Sequence, residues 1–300
     1  MTITDYPTER RNPRTASIDT VSTAEMLQLM NDEDAHAVRA AGAAAQQLAK
    51  AVDAAHQRLS RGGAVHYFGA GASGRLALLD ASEVTPTFGA PPELFTAHFP
   101  GGARAVADSS IDHEDAADLG TADAADLDTS SVAVGVTASG GTAYVGGALK
   151  AANSAGALTI LLTCNPAASL RAAADISVVA DTGAEALTGS TRLKAGTATK
   201  ILLNSFSTAL MIKSGRTYGN LMVGLVATNA KLRERAVAVL REATGEDATA
   251  CRQALSDNGG EVPPALVCLL TGCTPERARA ALAMHPGIRR AITAVREEGQ

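Results

Sequence analysis

Tryptophan is absent from the 300-residue chain, and phenylalanine and tyrosine contribute only five and four residues. So few aromatics leave little from which to build a base-stacking platform. The formal net charge of −5 supplies no basic footprint, so nucleic acid is not an expected partner. The four cysteines, Cys164, Cys251, Cys268 and Cys273, form no CxxC pair and follow no metal-ligand spacing. The six histidines (His36, His56, His66, His98, His113 and His285) include no i, i+4 pair and have no nearby cysteine. The opening MTITDYPTERRNPRT is polar and lacks an apolar h-region, and no apolar run approaches a membrane span. A reduced, cytoplasmic setting without a membrane partner is expected.

Alanine and glycine are what the chain has in quantity. Apolar residues make up 46% and charged residues 19%, the balance of an ordinary globular protein. The length suffices for one large domain with a smaller appendage.

Residues 1 to about 20 read as an extended arm. Ser22-Thr23-Ala24-Glu25 then has the form of a capping box, and an alanine-rich helical stretch runs from about 33 to 59. Five short apolar runs follow: 64–68, 94–99, 132–137, 158–163 and 176–180. Helical patterns separate them, notably at 142–153, so the spacing predicts a parallel sheet covered on both faces. Long helices are expected over about 191–213 and 218–241, and three short ones in the tail from 246, broken at Asn258-Gly259-Gly260 and Gly272. The chain thus reads as an N-terminal arm with helices (1–60), an α/β domain (61–235) and a C-terminal helical subdomain (236–300).

Three segments carry candidate chemistry. Gly69-Ala70-Gly71-Ala72-Ser73-Gly74-Arg75 stands where a strand turns into a helix, and free amides at a helix start favour an anion. The pattern is also the dinucleotide fingerprint, but that fold wants an acid closing the second strand, and His98-Phe99-Pro100-Gly101-Gly102 has none. A second glycine- and hydroxyl-rich loop, Thr137-Ala138-Ser139-Gly140-Gly141-Thr142, ends the third strand. Two such loops at the carboxyl ends of parallel strands can converge on one phosphate, with Gly71, Ser73, Gly74, Arg75, Ser139, Gly140 and Thr142 as its ligands. The bland alternative makes each an ordinary turn with Ser or Thr as an N-cap. The third segment is Gly189-Ser190-Thr191-Arg192-Leu193-Lys194, with Ser190, Thr191 and Lys194 as substrate candidates. Ser190 could simply cap the next helix, but Arg192 and Lys194 in a first turn oppose the helix dipole, a cost that a bound anion would offset.

The stretches TERRNPRT, STAEMLQLMNDED, GAGASGRLALLDASE, TPTFG, GSTRLKAGTATK and YGNLMV resemble the N-acetylmuramic acid 6-phosphate etherases, in order, from residue 8 to about 235. The resemblance implies a sugar-isomerase (SIS) fold, a three-layer αβα sandwich on a five-stranded parallel sheet. It also implies a homodimer, a sugar-phosphate substrate, and no metal or nucleotide cofactor. The family cleaves the ether between a sugar 6-phosphate and D-lactate, giving N-acetylglucosamine 6-phosphate in peptidoglycan recycling. Its two acidic residues fall on Glu83 and Glu114: Glu83 as the acid that protonates the lactate oxygen and Glu114 as the base at C2, with the reverse order open. Glu83 lies ten residues beyond Ser73, roughly 15 Å along an unbroken helix. Either that helix ends early or the glutamate serves a site shared across a dimer.

Three departures from the family's pattern stand out. Gly141 and Ala143 replace an arginine and a proline, Ala72 stands where threonine is common, and Gly224 replaces an aspartate. An aldose–ketose isomerase and a non-catalytic sugar-phosphate sensor on the same fold are the competing readings. The long motifs and the two retained glutamates argue for the etherase.

Overall fold

The computed structural model describes residues 6–108, 110–224 and 230–298. Its contacts divide the chain into two units. One comprises the chain up to Ser82 with Glu93–Ser207, the other Glu83–Pro92 with the chain from Thr208.

In the first unit, Ser22 and Glu25 form the expected reciprocal cap, and helix α1 runs Thr23–Ala43. Helix α2 follows as Ala45–Leu59. The nearest helix-weakening residue, Gly42, lies inside α1 and two residues before the break at Ala44, so the alanine-rich pattern reads as one helix. The arm before α1 is docked rather than simply extended. It makes two 3₁₀ turns, Pro7–Glu9 and Pro13–Thr15, and buries Thr8, Asn12 and Thr15.

The sheet consists of β1 (Val65–Gly69), β2 (Phe95–His98), β3 (Val132–Val136), β4 (Leu158–Thr163) and β5 (Ile176–Val179). All five strands are parallel, in the order β2-β1-β3-β4-β5. The central β3 and β4 are buried at every position, which is why they read as continuous apolar runs. Helices α3 (Gly71–Phe88), α4 (Gly102–Ala107), α5 (Ala117–Asp123), α6 (Ala143–Ser154) and α7 (Lys194–Lys213) complete the layers. On one face Tyr144, Val145, Ala148 and Leu149 of α6 pack with Phe68, Ala133 and Leu161. On the other, Phe206 of α7 meets the ring of Tyr67. Asp80 of α3 accepts hydrogen bonds there from Tyr67 Oη (2.9 Å) and from Ser207 Oγ (3.1 Å), pinning α3 and α7 to the sheet.

The strand order reverses at β1 and β3: the chain leaves β1 toward β2 on one side and later returns to β3 on the other. A crevice opens at such a switch point, beyond the carboxyl ends of the strands. The loops after β1 and β3 are therefore neighbours by topology.

The second unit holds helices α8 (Ala230–Thr244), α9 (Ala248–Asp257), α10 (Val262–Thr271), α11 (Pro275–Met284) and α12 (Ile288–Glu297) around Leu240, Ala265, Leu266, Ala278 and Ala291. A single helix over 218–241 is not formed. Tyr218 and Leu221 make an isolated antiparallel bridge, helix begins again at Ala230, and residues 225–229 lie outside the described residues. The tail from 246 carries four helices, not three, because Pro286 and Gly287 (φ 103°) separate α11 from α12. Among the described residues, no helix is long and apolar enough to cross a membrane.

Candidate functional site

The loop after β1 is shaped by glycine. Gly71 opens α3 with φ +53°, and a Cβ on Gly74 would stand 2.3 Å from the Gly69 carbonyl oxygen. The helix start therefore lies directly on the strand end, with backbone amides free to meet an anion. Ser73 Oγ has no hydrogen-bond partner among the described residues. Arg75 is held in place: Nε donates to the Val106 carbonyl (2.8 Å) and the guanidinium lies over the Phe99 ring.

The loop after β3 is also fixed by close contacts. Gly140 has φ +71°, and a Cβ there would meet the Ala168 Cβ at 2.1 Å. Asn165 Nδ2 donates to the Ser139 carbonyl (2.8 Å), and Gly140 N donates to Thr137 Oγ1 (3.2 Å). Thr142 is the N-cap residue of α6, yet its side chain makes no capping bond. Thr142 Oγ1 instead donates to Glu114 Oε1 (3.1 Å). Thr137 Oγ1 lies 2.8 Å from Thr142 Oγ1 and 3.3 Å from Ser139 Oγ. With the Thr142 hydroxyl proton on the carboxylate, the Thr137 hydroxyl donates to Thr142. A row of hydroxyls thus runs from Ser139 to Glu114. The N-cap explanation of this loop gives way to one in which its hydroxyls hold a carboxylate.

Glu114 is further fixed through its backbone. Its N–H donates to Asp112 Oδ1 (3.0 Å), and its carbonyl accepts from Tyr144 N (3.0 Å). It lines a cavity of about 130 Å³ with Gly71, Arg75, Phe99, Asp112 and His113. The structure therefore brings together the first loop, the second loop and Glu114. That cavity is smaller than the roughly 300 Å³ and upward of a typical small-molecule site, so it accommodates only part of a sugar phosphate. Arg75 also lines a neighbouring groove of about 610 Å³, with Ala72, Arg192, Gly196, Thr197 and Lys200. A wider groove of about 800 Å³, lined by Gln47, Lys50, Ser169 and Asp175, includes no residue of the first or third segment and lacks Glu114.

The third segment forms turns through Ser190–Leu193, and α7 begins only at Lys194, so Ser190 does not cap it. The anion at this helix start is built into the protein. Glu185 accepts from the amides of Lys194 and Ala195, both at 2.9 Å. Burial raises the Glu185 pKa despite these bonds. Lys194, a substrate candidate in the sequence, is 1% exposed here, and its Nζ donates to Glu33 Oε2 (2.5 Å) rather than facing the groove. Arg14 grips the same carboxylate through Nε (2.5 Å) and Nη2 (2.9 Å). Burial would raise the Glu33 pKa, but the bonds from Arg14 and Lys194 outweigh it and hold the group at about 2. Only Arg192, of the two cations in this segment, lines the groove beside Ala72 and Arg75.

Glu83 stands on the exposed side of α3, which continues unbroken to Phe88 with Pro86 inside it. The helix does not end early, and the side chain does not point into a core. Thr137, Asn165, Glu185 and Glu33 were not singled out as site-building residues by sequence reasoning. Thr137 could have been found by its place within the second loop, whereas Glu33 had no local signal. No group of three or more His, Cys, Asp or Glu side chains among the described residues gathers at metal-ligating range.

Residues 47–153 match the model of the glucokinase regulatory protein N-terminal SIS domain. The chain is 50% identical over 265 residues to an N-acetylmuramic acid 6-phosphate etherase of Thermobifida fusca, covering 88% of this chain and 87% of that one. It is 44% identical over 293 residues to an enzyme of the same name from Cronobacter sakazakii, covering 97% and 99%. Among solved structures, a phosphoheptose isomerase from Francisella tularensis superposes with a TM-score of 0.51 at 18% identity, over 63% of this chain and 98% of that one. That likeness concerns the fold alone.

Proposed function

The chain belongs to the N-acetylmuramic acid 6-phosphate etherase family, and we propose that it runs the family's reaction with Glu114 and Glu83 as its proton-transfer groups. The reaction is a carbon–oxygen lyase step that converts N-acetylmuramic acid 6-phosphate and water to N-acetylglucosamine 6-phosphate and D-lactate. Opening of the sugar ring exposes the C1 aldehyde and acidifies the C2 hydrogen. Glu114 takes that proton, the C3–oxygen bond breaks, and the lactate oxygen leaves with a proton from Glu83. Water then adds its hydroxyl to C3 of the unsaturated aldehyde while C2 regains a proton. Carboxyls suit both transfers when held within hydrogen-bond reach of the reacting atoms.

The observation that carries this reading is the bond from Thr142 to Glu114 in a cavity shared with Gly71 and Arg75. It supports the reading because a carboxylate held by the second loop lines the same cavity as the first loop. The phosphate is assigned to the first-loop amides and Ser73, with Ser139 and Gly140 of the second loop and Ser190 and Thr191 of the third segment lining the sugar. Gly74 permits the close approach of helix and strand, and Arg75 supplies positive charge.

Glu83 calls for a second copy of the chain. An unbroken α3 puts it roughly 15 Å beyond Ser73, too far for one sugar phosphate to span comfortably. Its exposure leaves it free to enter a partner's site, so the active form is assigned as a homodimer. The absence of a membrane-crossing helix among the described residues is compatible with a cytoplasmic enzyme.

The test is D-lactate release from N-acetylmuramic acid 6-phosphate by the wild type, Glu83→Ala and Glu114→Ala proteins. Release by the wild type and its loss in both variants supports the assignment. A folded wild type that binds the sugar phosphate but releases no lactate overturns it.

A further inference from the structure

Three of the stretches that carry the family resemblance lie outside both glycine loops and contain neither glutamate: TERRNPRT, STAEMLQLMNDED and GSTRLKAGTATK. The structure joins them at one carboxylate. Arg14 comes from the first, Glu33 from the second and Lys194 from the third, and both cations donate to Glu33. Glu33 is 2% exposed and Lys194 1% exposed, so the pair is closed to water. Arg14 closes it from outside and is itself 55% exposed.

The arm also binds the run that leads into the third segment. Asn12 Nδ2 donates to the Ala184 carbonyl (3.3 Å), Thr15 Oγ1 donates to the Ala186 carbonyl (2.8 Å), and the Thr8 carbonyl accepts from Gly189 N (3.0 Å). Gly189 has φ +76°, a left-handed backbone conformation that favours glycine, where its N–H meets the arm. Glu185 meanwhile holds the first two amides of α7. Two cations and two carboxylates, Arg14, Lys194, Glu33 and Glu185, make a charge-balanced set around the run from Ala184 to Ala195. A buried ion pair is weak evidence of added stability, because desolvation offsets much of its attraction.

We propose that the Arg14–Glu33–Lys194 clamp is a positioning device that presets Ser190–Arg192 for the sugar phosphate, so that the N-terminal arm contributes to substrate affinity without touching substrate. This rests on the assignment of the third segment to the substrate site. The groove it faces contains Arg192 and Lys200 together with Ala72 and Arg75 of the first loop, so a shift of the α7 start changes the charge around the phosphate. Preorganised groups of this kind act on binding by sparing the ligand the cost of ordering them.

Removing the buried Glu33 or Lys194 risks the fold, so the test uses the exposed partner, Arg14→Ala, with and without added guanidinium ion. KM for lactate release is expected to rise roughly tenfold with kcat changed less than about twofold, the pattern of lost binding rather than lost chemistry. Millimolar guanidinium should return KM toward the wild-type value while equal concentrations of sodium chloride and urea do not. Calorimetric affinity for N-acetylglucosamine 6-phosphate should follow the same course. Unchanged KM and product affinity in Arg14→Ala overturn the clamp, as does a loss of affinity that tracks thermal unfolding and ignores guanidinium. If the wild type binds the sugar phosphate without releasing lactate, the reaction assignment fails while the calorimetric comparison still decides on the clamp.

Discussion

Thr142 Oγ1 donates to Glu114 Oε1 at 3.1 Å, although Thr142 occupies an N-cap position where its hydroxyl would ordinarily serve the helix. Forgoing a cap costs about 1 kcal/mol of helix stability, so the bond to a carboxylate has to offset that. Replacing Thr142 by valine keeps the shape and removes the donor. The expected result is a fall in kcat of about 10- to 100-fold with KM changed little, since a misplaced base impairs proton transfer more than binding. Thr142→Ser restores the hydroxyl and should recover most of the rate. A valine variant with wild-type kcat would remove Thr142 from the site.

The shared-site assignment yields a mixing prediction. Glu83→Gln and Glu114→Gln proteins should each be inactive alone. After mixing, unfolding and refolding together, half of the dimers pair one variant with the other. Each such dimer regains one intact site, so about a quarter of the wild-type activity returns. Activity that stays at zero after proven exchange of subunits would show that both glutamates serve within one chain.

A third prediction concerns pH and stability. His66 Nδ1 and His98 Nε2 lie 3.1 Å apart on neighbouring strands, and the His98 ring stacks on Phe68. Burial, together with the like charge of His98, lowers the His66 pKa from 6.5 to about 4, and burial lowers that of His98 as well. In the unfolded chain these rings take up protons below about pH 6.5, whereas the folded protein resists until near pH 4 for His66. The contribution to stability is therefore present above pH 6.5 and lost progressively as pH falls toward 4. Urea midpoints should drop between about pH 7 and pH 5, and His66→Gln should flatten that slope. An unchanged slope in the variant would assign the pH dependence elsewhere.

Much of this architecture is legible in the sequence. The strands are readable because β3 and β4 are buried on both faces and because β1 and β3 end in glycine loops at the switch point. The expected bounds 158–163 coincide with Leu158–Thr163, and Ser22 with Glu25 marked the start of α1. The break at Ala44 is not legible, because Ala44 sits in an alanine run and stays within the right-handed helical region (φ −82°, ψ −2°). The third segment was half legible. Two cations in a first turn signalled a nearby anion, but the signal could not distinguish a ligand's phosphate from the protein's own Glu185 and Glu33. Glu33 stands 161 residues from Lys194, and such a pairing has no local trace in a single sequence.

The last prediction restores two residues usual in the family. Gly141 has no positive φ, so a side chain is admissible there, and a Cβ would stand 3.3 Å from Tyr6 Oη and 3.9 Å from Ser169 Oγ. Both are ends of side chains that can yield, so Gly141→Arg fits once the tyrosine hydroxyl gives way slightly. Ala143 is the first residue of α6, a position where proline suits the helix because its missing N–H has no intrahelical partner. Thr142 before it has φ −56° and ψ 117°, near the extended conformation that a following proline requires. Ala143→Pro should therefore raise stability by about 0.5–1 kcal/mol through a more restricted unfolded chain, read as a higher urea midpoint. Gly141→Arg adds a cation at the mouth of the second loop, and KM for the sugar phosphate should fall roughly three- to tenfold at low salt and less at high salt. The two changes act on different quantities, so the double variant should show both effects in full. If Gly141→Arg leaves KM unchanged while Ala143→Pro still stabilises, position 141 lies beyond the electrostatic reach of the phosphate assigned to the first loop.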